Sequence, residues 1–87
     1  MVIVTSTTPR LDLHGEVSSM VESLVNRFIK DNYLMKKKVV CIIHGKSTNI
    51  LTKAVHKTLS KNELVEKYYL NGWNLGETVV ILNEHDD

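Results

Sequence analysis

The sequence predicts an α/β chain in two layers: a mixed four-stranded sheet with both helices on one face, in the order βαβαββ. Three observations predict it. The 87 residues suffice for one domain with a modest core. Apolar residues recur at helical spacing in two windows, about 17–32 and 49–61. Runs of strand length, β-branched or alternating at period two, lie before, between and after those windows. Packing two helices against one face of four strands is the economical way to bury every apolar stripe.

Each element has its own signal. Residues 1–9 hold Val2-Ile3-Val4-Thr5 and then Ser6-Thr7-Thr8-Pro9, which reads as either an edge strand or a linker. Leu11-Asp12-Leu13-His14 alternates and stops at Gly15, a short strand with its leucines toward the core and Asp12 and His14 on the opposite face. Val17, Met20, Val21, Leu24, Val25, Phe28 and Ile29 form the stripe of a first helix. Ser19-Met20-Val21-Glu22 offers a capping box at its start, with Ser18 competing for the position. Val39 to Ile43 is continuously apolar, the mark of a central strand buried on both faces. Strand, helix, strand implies a parallel pair. Leu51, Ala54, Val55, Thr58 and Leu59 mark the second helix, with Ser47, Thr48 or Asn49 as its N-cap. Val65 to Leu70 and Thr78 to Leu82 are the last two strands, joined by the turn-rich Asn71-Gly72-Trp73-Asn74-Leu75-Gly76-Glu77.

Composition narrows the classes of function. Hydrophobic residues at 43% and charged residues at 24% are those of an ordinary globular chain. No apolar stretch has the length of a membrane span, and the N-terminal apolar segment is too short for a signal peptide, so a cytoplasmic protein without a membrane partner is expected. The lone Cys41 lies in the apolar run, where a buried, inert thiol is expected and no internal disulfide can form. Net charge is +1, but the tail Glu84-His85-Asp86-Asp87 carries three of the ten acids, leaving a more basic body of +4. Arg10, Lys36-Lys37-Lys38, Lys46, Lys53 and Lys57 are available for phosphate contacts.

Gly45-Lys46-Ser47 resembles the end of a nucleotide-binding P-loop, but that motif needs a glycine where the chain has Val40, which excludes ATP or GTP binding of that type. A different pattern remains. His14-Gly15 closes the first strand and His44-Gly45 closes the second. If these strands are parallel neighbours, both histidines emerge at one rim, beside the helix N-termini that attract anions. Asp12 would then orient His14, cap a turn or pair with Arg10. Lys46 sits just before a helix start, where a phosphate is favoured. His56 and His85 read as structural or exposed. Trp73 reads as a cover for the core edge in preference to a base-stacking ring.

Leu11-Asp12-Leu13-His14-Gly15 taken with Ile43-His44-Gly45-Lys46, and the closing Gly76-Glu77-Thr78-Val79-Val80, resembles the Smr (small MutS-related) domain over residues 10–84, leaving 85–87 as an acidic tail. The resemblance implies a fold like the C-terminal domain of bacterial translation initiation factor three. It also implies nucleic-acid binding and endonuclease (nicking) activity, on branched DNA in MutS-like proteins or on messenger RNA at stalled ribosomes, which would make the ribosome a partner. The family's LDxH motif falls on Leu11, Asp12 and His14, and the first part of its HGxG motif on His44, Gly45 and Lys46. Ser47-Thr48-Asn49 replaces the usual Gly-Thr-Gly, and Trp73-Asn74 replaces a usual glycine pair.

The resulting expectation names Asp12, His14 and His44 as catalytic, and Gly45, Lys46, Ser47, Thr48, Arg10 and Lys53 as nucleic-acid contacts. On RNA, His14 or Asp12 would take the proton of a 2′-hydroxyl and His44 or Lys46 would stabilise the charge, with no cofactor. On DNA, water must attack, and Mg or Mn held by Asp12 is expected. A non-catalytic module that places a larger polypeptide on nucleic acid is the alternative, and a protein-interaction domain is a third reading.

Overall fold

The computed structural model describes residues 2–46 and 49–85. A four-stranded sheet in the order β1-β2-β4-β3 is built from β1 (Arg10–Asp12), β2 (Val39–Ile43), β3 (Val65–Asn71) and β4 (Asn74–Leu82). β1 runs parallel to β2, while β4 is antiparallel to both β2 and β3. Helices α1 (Val21–Leu34) and α2 (Asn49–Lys61) pack together on one face, as expected.

The strand alternation decides which residues meet the helices. Leu13, Val40, Ile42, Val80 and Leu82 close on Val21, Val25 and Ile29 of α1 and on Val55 and Leu59 of α2. Each of these aliphatic side chains gains about 1.5–3 kcal/mol from leaving water, which is the main force fixing the register. Cys41, Val79 and Ile81 point to the other face, where Val4 and Val39 pack on them. Residues 2–9 form no strand. They lie against this second face, with the Cys41 amide donating to the Pro9 carbonyl at 2.9 Å and Arg10 Nη1 donating to the carbonyls of Thr5 and Thr8.

Three local expectations are corrected. The capping box does not form: Ser18–Met20 is a 3₁₀ turn, Met20 takes the N-cap position, and no side chain caps the helix. Ser19 is thereby wound into the turn that it was expected to precede, and Val17 and Met20 are exposed instead of continuing the apolar stripe. β1 ends at Asp12, two residues early, although the Leu13 amide still reaches the Ile43 carbonyl at 2.7 Å. The polar stretch 71–77 is mostly strand, with only Gly72 and Trp73 in the turn. Asparagine side chains make this compact. Asn71 Oδ1 accepts the Trp73 amide at 2.9 Å and Asn74 Oδ1 accepts the Gly76 amide at 3.0 Å, so side-chain oxygens do the work of a longer loop. No helix among the described residues is long and apolar enough to cross a membrane.

Candidate nucleic-acid interface at the strand ends

Parallel pairing of β1 with β2 sends their C-terminal ends to the same rim, and there the two His-Gly pairs meet. A Cβ added to Gly45 would lie 3.5 Å from His14 Cδ2, so the imidazole rests against the glycine. Gly45 has φ +84°, a left-handed backbone that side chains other than glycine strain to adopt. The turn is closed from β4, where the Gly76 carbonyl accepts both the His44 amide at 2.9 Å and the Gly45 amide at 3.0 Å. A Cβ at Gly76 would sit 3.1 Å from Lys46 Cγ and 3.2 Å from the Gly45 carbonyl carbon, so the Lys46 stem lies directly across this glycine. Beside the turn opens a cleft of about 310 Å³, lined by His14, Gly15, Glu16 and Ser18 on one side and by His44, Ile50 and Leu51 on the other. The start of α2 and the 3₁₀ turn before α1 face it. Ser47 and Thr48 lie outside the described residues.

The two histidines differ in role. His14 is exposed. Asp12 does not reach its ring; Asp12 Oδ1 accepts the His14 amide at 2.9 Å, fixing the backbone that carries the imidazole. His44, expected over the phosphate, is instead turned inward and 3% exposed. Its Nδ1 lies 2.8 Å from Thr52 Oγ1 and 3.1 Å from the Gly45 carbonyl, and its Nε2 lies 2.8 Å from Thr78 Oγ1. The same Thr78 hydroxyl lies 2.8 Å from His56 Nε2. A hydroxyl can give one proton and accept others, which lets Thr78 bridge the two imidazoles. This chain ties the His-Gly-Lys turn to α2 and β4. Burial, and then the neighbouring His44, hold the His56 imidazole below its ordinary value.

Arg10 is also reassigned. Its Nε donates to Glu77 Oε2 at 3.2 Å, and its remaining reach goes to the N-terminal carbonyls, so it fastens residues 2–9 to the sheet where a phosphate contact was expected. Glu77, 5% exposed, also accepts from Asn71 Nδ2 at 2.9 Å. Lys53 is exposed on the first turns of α2 and does not line the cleft. Lys36–Lys38 precede β2, at the opposite end of the strand from Lys46, and Lys38 pairs with Glu66 at 3.7 Å. Cys41 is fully buried, and burial together with the Glu77 charge pushes its thiol up to about 11, while Arg10 opposes. Sequence reading missed Thr52, Thr78 and Glu77. One signal was present: a threonine and a glutamate stand at the head of an otherwise apolar run, Glu77-Thr78-Val79-Val80. Trp73, expected to pack, is 99% exposed.

The fold and the rim together define the class: a two-layer α/β domain in which two His-Gly turns meet at the ends of parallel strands. The Smr domain family model matches residues 11–83, and the chain belongs to that family. It is 41% identical over 63 residues to Endonuclease MutS2 of Halothermothrix orenii, covering 72% of this chain and 8% of that protein. It is 33% identical over 79 residues to Endonuclease MutS2 of Lachnoclostridium phytofermentans, covering 91% of this chain and 10% of that protein. The chain thus spans at most a tenth of the length of these relatives. The fold is that of the Smr domain of Thermus thermophilus MutS2, at TM-score 0.83 and 23% identity over 87% of this chain and 99% of that one. It is equally that of YdaL, a stand-alone small MutS-related protein from Escherichia coli, at TM-score 0.83 and 23% identity over 90% of this chain and 66% of that one.

Proposed function

We propose that this domain binds nucleic acid at the rim formed by the two His-Gly turns and cleaves a phosphodiester there, with RNA as the substrate the residues fit best. The observation that supports this reading is the exposed His14 imidazole lying against Gly45, beside Lys46 and the α2 start. The phosphate takes hydrogen bonds from backbone amides at the start of α2, and charge from Lys46. His14 removes the proton of the 2′-hydroxyl. The 2′-oxygen bonds to the adjacent phosphorus, the bond to the 5′-oxygen breaks, and that oxygen takes a proton from water. The products are a 2′,3′-cyclic phosphate and a 5′-hydroxyl. Lys46 stabilises the negative charge that builds on the phosphoryl oxygens. Asp12 holds the His14 backbone, and His44 anchors the turn through Thr52 and Thr78.

On DNA the nucleophile is water, and Asp12 is the residue that would hold Mg or Mn to activate it. Among the described residues no three of His, Cys, Asp and Glu converge on a metal-sized site, so the donor set fits that route less well. The second reading is a binding module that places a larger MutS2-like polypeptide on nucleic acid or the ribosome without cutting. It is favoured by one feature: with His44 turned inward, His14 is the one exposed imidazole at the rim among the described residues.

The test is incubation of end-labelled RNA and DNA with the chain, with and without chelator, beside Asp12→Ala and His14→Ala. Chelator-resistant RNA cleavage that ends in a cyclic phosphate and is lost in His14→Ala supports the first reading. Binding without cleavage, weakened by Lys46→Ala and by salt, supports the second. Cleavage that survives both substitutions overturns the assignment of the site.

A further inference from the structure

Trp73 stands at the tip of the β3–β4 hairpin with 99% of its surface exposed. It is grouped with exposed Ile3 and Tyr69 along one groove, and a grouped apolar patch of this kind marks a contact surface. The hairpin holds the Trp73 backbone firmly. The Trp73 amide donates to Asn71 Oδ1, Asn71 Nδ2 donates to Glu77 Oε1, and Glu77 is paired to Arg10. The backbone that carries the ring is therefore fixed, which limits the ordering that a partner must supply to the side chain alone. The ring edges that groove, of about 580 Å³ on the helix-free face, whose walls include Ile3, Arg10, Tyr69 and Val79. Tyr69 is a second exposed ring in the same groove.

The groove and the cleft at the rim share no lining residue, but Trp73 at the groove's edge lies close along the chain to the rim. Gly76, which supports the Lys46 stem, is the third residue after Trp73, at most about 10 Å away along the chain. A backbone seated at Lys46 thus passes within reach of the ring after a short run of nucleotides. We infer that Trp73, with Tyr69 behind it, is a stacking platform for an unpaired base of the strand whose phosphate lies at Lys46, so that the domain selects single-stranded segments. The inference rests on the nucleic-acid reading above. A protruding ring with two open faces suits insertion between bases, and a base locked in a paired stack offers it no face.

The sequence contains a single tryptophan, so its fluorescence reports Trp73 alone. The experiment titrates the 87-residue chain with a short single-stranded oligonucleotide and with the same oligonucleotide made abasic, for wild type, Trp73→Ala, Trp73→Phe and Lys46→Ala. The expected results are quenching by the intact strand only, about tenfold weaker binding in Trp73→Ala, and a smaller loss in Trp73→Phe. Trp73→Ala and base removal together should weaken binding no more than either alone. Unchanged affinity in Trp73→Ala alongside weakened binding in Lys46→Ala overturns the stacking platform and leaves the phosphate site standing. Loss of self-association in Trp73→Ala without loss of strand binding overturns it in favour of a second copy on this face. If wild type binds neither strand at low salt, both this inference and the nucleic-acid reading fall.

Discussion

Replacing Thr78 with valine tests how the His-Gly-Lys turn is held. The side chains have nearly the same shape, but the hydroxyl that joins His44 Nε2 to His56 Nε2, 2.8 Å from each, is gone. Thr78 is fully buried and His44 nearly so, so no water replaces the lost partner of His44. A buried polar group left unpaired costs about 1–3 kcal/mol. His56 is half-buried, and water recovers part of its loss. The sum is about 2–3 kcal/mol, a large share of the stability of a domain this size. At about 4–8 °C per kcal/mol for a chain of this length, the midpoint should fall by about 10–20 °C in thermal denaturation followed by circular dichroism. Thr58→Val is the matched control. Its hydroxyl donates at 2.9 Å to the Ala54 carbonyl, one turn back in α2, and its loss should cost less than about 1 kcal/mol. A Thr78→Val protein as stable as the Thr58→Val protein would refute the view that this hydroxyl chain carries the turn.

Other outcomes follow from the same geometry. His14→Ala should lower RNA cleavage by about 10²–10⁴-fold, the usual contribution of a positioned general base, while oligonucleotide affinity in a filter-binding assay changes far less. Gly76→Ala presses a methyl group against the Gly45 backbone at 3.2 Å, and should weaken both stability and oligonucleotide binding, as read by denaturation and titration. The folded His56 imidazole lies below its ordinary 6.5, so the unfolded state binds more protons as pH falls past that value. Stability should therefore be complete above about 6.5 and decline below it in thermal melts, with a shallower decline in His56→Gln. Cys41 should resist a thiol reagent at neutral pH in the folded protein and react at once in denaturant, because its thiol is buried and pushed up to about 11.

Much of this architecture was legible from period and punctuation. The continuous run Val39 to Ile43 could only be a strand buried on both faces, and the leucines of Leu11-Asp12-Leu13 could face only inward. Two identical dipeptides at the ends of parallel strands located the rim before any coordinates. The illegible parts depend on partners far along the chain. The inward turn of His44 is set by Thr78, 34 residues away, and Arg10 is claimed by Glu77, 67 residues away. A histidine or arginine in isolation carries no sign of such a claim. The hairpin was misread because Asn71 and Asn74 look like loop residues, whereas their side chains close a two-residue turn. The exposure of Trp73 has the same origin, since a long loop could fold the ring back and a two-residue turn holds it out.

The nucleic-acid reading requires one rim to receive a phosphodiester. Titration of the isotope-labelled chain with a short single-stranded RNA, followed by amide chemical shifts, tests this most directly. The amides of Gly15, Gly45, Lys46 and Gly76 should move first and together. Shifts centred on Lys36, Lys37 and Lys38 at the far end of β2, with the two His-Gly turns unmoved, would contradict it.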